Sequence, residues 1–229
     1  MADREFYLPL KDVTLFCRVV GEGDPVILLH GHDQSHHIFT IWKGTLSQEH
    51  QVIMIDSRNH GNSSRTDQIT IALMAEDVRE AMEKLGISNA KIIGYSDGGN
   101  IALQLAAEHA ELVSKLVVIS GNAQPSGVRG LYRFFIDIGY WASKMISARS
   151  RNMMGLLAEE PDISRADLRR IEAPTLLIYG DKDLITRGHI RYLKANIPGS
   201  RVLLIKNATH FSIVRKFKDY INDIMEFLR

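Results

Sequence analysis

The sequence has 229 residues, with 28 Lys and Arg against 27 Asp and Glu, so its formal net charge is only +1. An apolar fraction of 45% and a charged fraction of 24% argue against intrinsic disorder, which requires few apolar residues and a high net charge. The small charge gives no overall attraction for nucleic acid, and the single cysteine, Cys17, forms no intrachain disulfide. No stretch approaches the roughly 18 apolar residues of a membrane span, and no signal peptide is recognisable. We expect one domain over residues 1–229, located in the cytoplasm.

The chain alternates short strand-like runs with segments of helical spacing. Several runs, such as Val26–Leu29, are continuously apolar, as expected of strands buried on both faces of a parallel sheet. The predicted strands are Thr14–Val20, Pro25–His30, Gln51–Asp56, Lys91–Tyr95, Lys115–Ser120, Thr175–Gly180 and Arg201–Lys206. Apolar residues recur every three or four positions from Ile71 to Leu85 and from Val214 to Leu228, which predicts helices. This alternation predicts an α/β fold with a mostly parallel, doubly wound sheet.

One interval, from about residue 122 to 165, is too long for a simple connection between strands. It contains an apolar stripe at helical spacing that includes Phe134, Phe135 and Trp141. Residues 129–151 carry a local charge of +4. The segment is either a surface helix with a solvated basic face or a helical lid that covers a pocket, and the two interpretations are compatible.

A candidate nucleophile lies between a predicted strand and a predicted helix. Residues 94–98 read Gly-Tyr-Ser-Asp-Gly, a G-x-S-x-G motif in the strand-turn-helix context that gives it meaning. The sharp turn strains Ser96, and the glycines let the neighbouring backbones approach. The Ser96 hydroxyl then lies at a helix N-terminus, where a developing anion is favoured. The alternative is a Gly/Ser-rich turn that only begins the helix.

The acid and base that such a serine needs follow two later strands. Asp183 comes just after the strand that ends near Gly180, and His210 comes after the last predicted strand. The carboxyl ends of parallel strands share one edge of the sheet, where sites of α/β proteins form. Ser96, Asp183 and His210 therefore form a candidate catalytic triad, with Asp181 as a possible substitute for Asp183. Taken singly, His210 could be a loop histidine and Asp183 a solvated turn acid.

With these motifs, the sequence resembles the α/β-hydrolase superfamily over essentially its whole length, and its lipase- and esterase-type members in particular. His30-Gly31 matches the oxyanion-loop motif of that family, and residues 56–63 resemble its D-x-R-x-H-G-x-S stretch. The resemblance implies that Ser96 is the nucleophile, and that the backbone N–H groups of His32 and Asp97 form the oxyanion hole. The insert is shorter than in many members, so their substrate pockets are not transferred to this chain.

The pocket is expected to include Tyr95 and Asp97 beside the nucleophile and Phe134, Phe135 and Trp141 from the insert. The Asp97 side chain has two interpretations. An aspartate here would cap the following helix, whereas a carboxylate next to the nucleophile would also attract the ammonium group of a substrate.

A histidine-rich segment suggests a competing chemistry. Residues 30–37 contain four histidines, and such clusters bind metal ions. Their order differs from that of known metal-dependent hydrolase motifs, and His30 already belongs to the oxyanion-loop motif. We therefore expect no metal site.

The function predicted from the sequence is that of a serine hydrolase cleaving a small carboxylic ester through an acyl-enzyme intermediate, without a cofactor. Amide hydrolysis, thioester hydrolysis and acyl transfer use the same triad and stay open, as does a slowly reacting small-molecule-binding protein. The expected partner is a small-molecule ester, with no nucleic acid and no membrane. The oligomeric state is left open.

Overall fold

The fold is organised around an eight-stranded sheet whose strands are covered by helices on both faces. The computed structural model describes residues 3–229. The strands are β1 (Asp3–Pro9), β2 (Thr14–Val20), β3 (Asp24–Leu29), β4 (His50–Asp56), β5 (Ala90–Tyr95), β6 (Val113–Ile119), β7 (Thr175–Lys182) and β8 (Arg201–Thr209). Their order is β1-β2-β4-β3-β5-β6-β7-β8. The pairs β1-β2 and β2-β4 are antiparallel and the others are parallel, which confirms the predicted fold class.

The helices divide between the two faces of the sheet. They are α1 (Thr40–Leu46), α2 (Ile71–Lys84), α3 (Asp97–Glu108), α4 (Gly130–Ser143), α5 (Ala148–Glu159), α6 (Arg165–Arg169), α7 (Arg187–Asn196) and α8 (Ile221–Leu228). Successive side chains of a strand point to opposite faces. Ile27 and Leu29 thus pack in the core under α2, α3, α6 and α7, whereas Val26 and Leu28 pack in the core under α1 and α8.

Strand β1 and the C-terminal helix differ from the sequence prediction. Strand β1 was not predicted, because it pairs only at the edge of the sheet and none of its residues is buried, so it lacks the apolar run that marks the inner strands. The C-terminal helix is not continuous, because a 3-10 helix at Val214–Asp219 is separated from α8 by the non-helical Tyr220. The buried Tyr220 ring packs on Trp42, and its hydroxyl donates to the Ile213 carbonyl over 3.0 Å. This packing fixes the break.

The segment between β6 and β7 contains α4 and α5 within the range 122–165 expected for the insertion, and α6 begins at its end. Helix α4 packs chiefly against α5. Two contacts tie the α5 region to the start of α2 and the segment before it. The Asn152 amide donates to the Asp67 carbonyl over 2.6 Å, and Glu160 accepts from the N–H of Ile71, the first residue of α2, over 2.8 Å. Within residues 3–229, no helix is both long and apolar enough to cross a membrane.

Candidate active site

The turn between β5 and α3 holds Ser96 in a strained conformation. Its backbone has φ 53° and ψ −120°, in a region that L-residues rarely adopt. The Ser96 N–H donates to the Ile119 carbonyl over 2.8 Å, which fixes the turn to the end of β6. A Cβ on Gly98 would collide with the Leu29 carbonyl oxygen, so only glycine lets α3 begin this close to the end of β3.

The structure brings the three predicted triad residues together in one hydrogen-bonded chain. The Ser96 Oγ lies 3.0 Å from the His210 Nε2, and the His210 Nδ1 lies 2.9 Å from the Asp183 Oδ1. His210 follows β8 and Asp183 follows β7, and both side chains are buried. Asp181 takes no part in these hydrogen bonds of the triad. Its carboxylate instead accepts from the backbone amides of Asn207 and Ala208, which lower its pKa.

The Asp183 carboxylate is held by donors besides His210. The Ser120 hydroxyl donates to Oδ2 over 2.5 Å, and the backbone N–H groups of Gly180 and Ile185 donate over 3.2 Å each. Burial opposes ionisation of this carboxyl, but the hydrogen bonds from His210, Ser120 and Ile185 outweigh it and hold its pKa below the usual value. Asp183 therefore stays ionised beside the imidazole.

Two residues near the triad have contacts that sequence reasoning missed. Ser120 follows the buried strand β6 and points to the acid of the triad. Tyr95, expected only in the pocket, also donates its hydroxyl to the His210 carbonyl over 2.9 Å and so holds the loop of the base. The sequence did contain a signal for the role of Ser120: it lies at the carboxyl end of an inner strand, and the same edge of the sheet carries Ser96 and Asp183.

The loop after β3 passes directly over the Ser96 turn. A Cβ on Gly31 would lie 3.0 Å from the Ser96 Cβ, so this loop places His32 beside the nucleophile. His30 anchors the loop from below, because its Nε2 accepts from the Ser57 N–H over 3.0 Å. Burial lowers the pKa of His30 to about 4, so it is a neutral structural side chain.

The side chains of the two predicted oxyanion-hole residues are paired with each other. His32 Nδ1 lies 3.1 Å from Asp97 Oδ2, and both side chains are largely buried. Burial opposes protonation of His32, but the hydrogen bond and charge of Asp97 outweigh it and raise its pKa above 6.5. Asp97 thus contacts His32, and the structure does not show the predicted cap on α3. The attraction of a substrate ammonium stays a prediction.

The histidine-rich segment divides among different contacts. His36 Nδ1 lies 2.9 Å from Asp56 Oδ1 in the core, whereas His37 is exposed. In the part of the chain that the structure describes, no group of three or more His, Cys, Asp or Glu side chains is arranged to hold a metal ion.

A pocket of about 360 Å³ opens above Ser96 and His210. Of the predicted pocket residues, Tyr95, Asp97 and Phe135 line it. Phe134 and Trp141, on the same helix, do not line it, and they are 59% and 68% exposed. Much of the remaining wall is apolar and comes from the insertion and the segment after β7, including Val128, Tyr132, Ile136, Met154, Leu157, Leu184 and Ile185. The insertion therefore does cover a pocket, but with only part of its aromatic residues.

The His32–Asp97 pair predicts a pH-dependent contribution to stability. Since the pKa of His32 is raised in the folded chain, the pair stabilises the fold fully below pH 6.5 and loses this effect as the pH rises and His32 loses its proton. Urea unfolding should show Asp97→Asn to be less stable than wild type by about 1 kcal/mol at mildly acidic pH, and by less in alkaline buffer.

Asp33→Asn is the matched control, because Asp33 is exposed and acts on His32 only through space. It should give a smaller pH-dependent difference than Asp97→Asn. If the loss of unfolding free energy in Asp97→Asn relative to wild type stayed constant or grew with pH, this would contradict a pair that depends on protonated His32.

Comparison with known proteins agrees with this geometry. A sequence model of the alpha/beta hydrolase fold family matches residues 24–161, more than half of the chain. The AB hydrolase superfamily protein YisY of Bacillus subtilis is 28% identical over 94% of this chain and 95% of its own length. The human serine hydrolase BPHL is 26% identical over 95% of this chain and 83% of its own length.

The structure of a hydrolase from Pseudomonas aeruginosa superposes with a TM-score of 0.86, covers 98% of both chains and is 22% identical, which shows a shared fold. The motifs, the family match and the full-length relatives thus agree with one another. The chain belongs to the alpha/beta hydrolase fold family and is a hydrolase.

Proposed function

We propose that this protein is a serine hydrolase that cleaves a small carboxylic ester through an acyl-enzyme intermediate. The observation that carries the proposal is the continuous hydrogen-bonded chain from Ser96 through His210 to Asp183, with the serine hydroxyl at the base of a pocket. A nucleophile, a base and a group that orients the base are the parts that acyl transfer through a serine requires.

In the first half of the reaction, Ser96 Oγ attacks the ester carbonyl carbon while His210 Nε2 accepts the hydroxyl proton. Ionised Asp183 accepts a hydrogen bond from His210 Nδ1, so it fixes the tautomer and stabilises the imidazolium that forms. His210 then gives the proton to the departing alkoxide, which leaves as the alcohol and leaves the acyl group on Ser96. In the second half, His210 takes a proton from water as the water oxygen attacks the acyl carbon. The bond from the acyl carbon to Ser96 Oγ then breaks, His210 returns the proton to Oγ, and the acid is released.

The negative charge that develops on the carbonyl oxygen requires fixed donors. The backbone N–H groups of His32 and Asp97 are the proposed pair. His32 lies in the loop that passes over Ser96, and Asp97 is the first residue of α3. The Asp97 N–H also belongs to a helix N-terminus, where an anion is favoured. Such donors are typically worth about 10²–10³ in kcat each.

The pocket supports a small acyl or alcohol group as the substrate moiety. A volume of about 360 Å³ lies at the lower end of the range for ligand pockets. Its apolar wall, including Val128, Met154 and Leu157, suits a hydrocarbon group.

Replacement of the nucleophile tests the proposal. Ser96→Ala should reduce kcat on a panel of short p-nitrophenyl esters by about 10⁶-fold, because no other group would form the acyl-enzyme. Ser88→Ala, at an exposed serine, is the matched control and should keep full activity. A chelator should leave the activity of the wild type and of Ser88→Ala unchanged.

Activity that survives Ser96→Ala and is lost with a chelator would refute the serine mechanism. Wild-type protein that binds esters and turns none of them over would instead favour the binding-protein alternative.

Loss of the Ser120 hydroxyl tests the support of the triad acid. Ser120→Ala removes a hydrogen bond that lowers the pKa of Asp183, and a hydrogen bond to a charged group contributes about 1.5–3 kcal/mol. We expect kcat to fall by roughly 10-fold or more with little change in KM, because Ser120 does not line the pocket.

Ser200→Ala is the matched control, since this buried hydroxyl donates to the Ile197 carbonyl away from the triad. An unchanged kcat in Ser120→Ala, or an equal fall in Ser200→Ala, would contradict a specific role for Ser120.

A further inference from the structure

Helix α4 has an apolar stripe that faces away from the protein. The outer stripe consists of four side chains of α4 and two that directly follow the helix, all of them 48–79% exposed: Leu131, Phe134, Ile138, Trp141, Met145 and Ile146. Five of them recur at alternating spacings of three and four residues, a pattern that normally faces a core or a partner. Only Ser143 of α4 is buried. A contiguous apolar surface of this kind marks an interaction site.

Positive charges lie at both ends of the outer stripe. Arg129 precedes α4, and Lys144, Arg149 and Arg151 follow its apolar residues, all of them exposed. The one acid between them, Asp137, is already paired with Arg133 at 2.7 Å. Residues 129–151 thus carry a charge of +4 in a chain whose total is +1, and this surface is complementary to an anionic one.

The charge also argues against a second copy of the chain as the occupant. In a two-fold symmetric dimer the same surface meets itself, so two segments of charge +4 would face each other. The phosphate and carboxylate groups of anionic lipids supply the opposite charge, while the lipid interface accepts Trp141 and the aliphatic side chains.

The outer stripe is continuous with the mouth of the pocket. Tyr132 and Phe135, on the same helix, line the pocket although they are 46% and 61% exposed. Phe211, next to His210, also lines it and is 69% exposed. The rim of the pocket and the outer stripe therefore form one apolar surface.

We propose that α4 is an interfacial helix that docks the protein on an anionic lipid surface through the outer stripe. The helix has 14 residues, too few to span a bilayer, so it would lie in the plane of the interface. This departs from the expectation, drawn from the sequence, of no membrane partner. If the proposed function holds as well, docking brings the pocket mouth to esters dissolved in the lipid; the docking itself does not depend on that function.

The test is cosedimentation of the full chain with vesicles of pure phosphatidylcholine and of phosphatidylcholine containing about one third phosphatidylserine. We expect binding to the anionic vesicles that weakens at high salt, and much weaker binding to the neutral ones. Trp141 reports insertion by a blue shift of its fluorescence, because the other tryptophan, Trp42, is fully buried. Ser96→Ala, which lacks the proposed nucleophile, should bind equally well, which separates docking from hydrolysis.

The variant Phe134→Ser/Trp141→Ser should reduce binding by roughly 10-fold or more, since both side chains are exposed and contribute little to the core. Ile41→Ser/Leu204→Ser is the matched control, because these side chains are 54% and 42% exposed outside the insertion, and it should bind like wild type. Arg149→Glu/Arg151→Glu should lose the preference for anionic vesicles.

Absence of vesicle binding by the wild type, or unchanged binding by Phe134→Ser/Trp141→Ser, would overturn the proposal. So would a concentration-dependent dimer that this variant abolishes, because it would assign the outer stripe to a second copy.

Discussion

The site depends on the close packing of the N-terminus of α3 against the ends of β3 and β5. This contact is possible only because Gly98 has no side chain next to the Leu29 carbonyl. It holds Ser96 at positive φ and directs its hydroxyl to His210 rather than into the helix. The same packing brings the loop after β3 over the turn, so that the proposed oxyanion donors and the nucleophile share one rigid unit.

Around that unit, buried polar groups are hydrogen-bonded to one another, since an unpaired charge in this environment would cost free energy. Asp183 accepts from Ser120, Gly180 and Ile185 as well as from His210, which keeps its charge in place. His32 and Asp97 form a second pair of a histidine with an aspartate next to the nucleophile. Asp183 and Asp97 thus each have a histidine partner, but of these two histidines only His210 reaches the serine hydroxyl.

The parts of this arrangement that follow from chain order were predictable from the sequence. Continuous apolar runs identified the inner strands, and the rule that parallel strands end at one edge placed Ser96, Asp183 and His210 together. Contacts that depend on side-chain direction were not predictable. The sequence cannot show that Asp97 turns to His32, or that Ser120 reaches Asp183. Nor does helical spacing show which side of α4 faces the pocket: of the three aromatic residues expected there, Phe135 lines it, whereas Phe134 and Trp141 do not.

The central claim is that Ser96 is a nucleophile activated by His210, and covalent labelling tests it most directly. We would treat the protein with a fluorophosphonate, which reacts with activated serines, and locate the adduct by mass spectrometry of the peptides. A serine activated by His210 should give a single adduct on Ser96 that forms far more slowly in His210→Ala and is unaffected by a chelator. An adduct on another residue, or none in a preparation that hydrolyses esters, would contradict it.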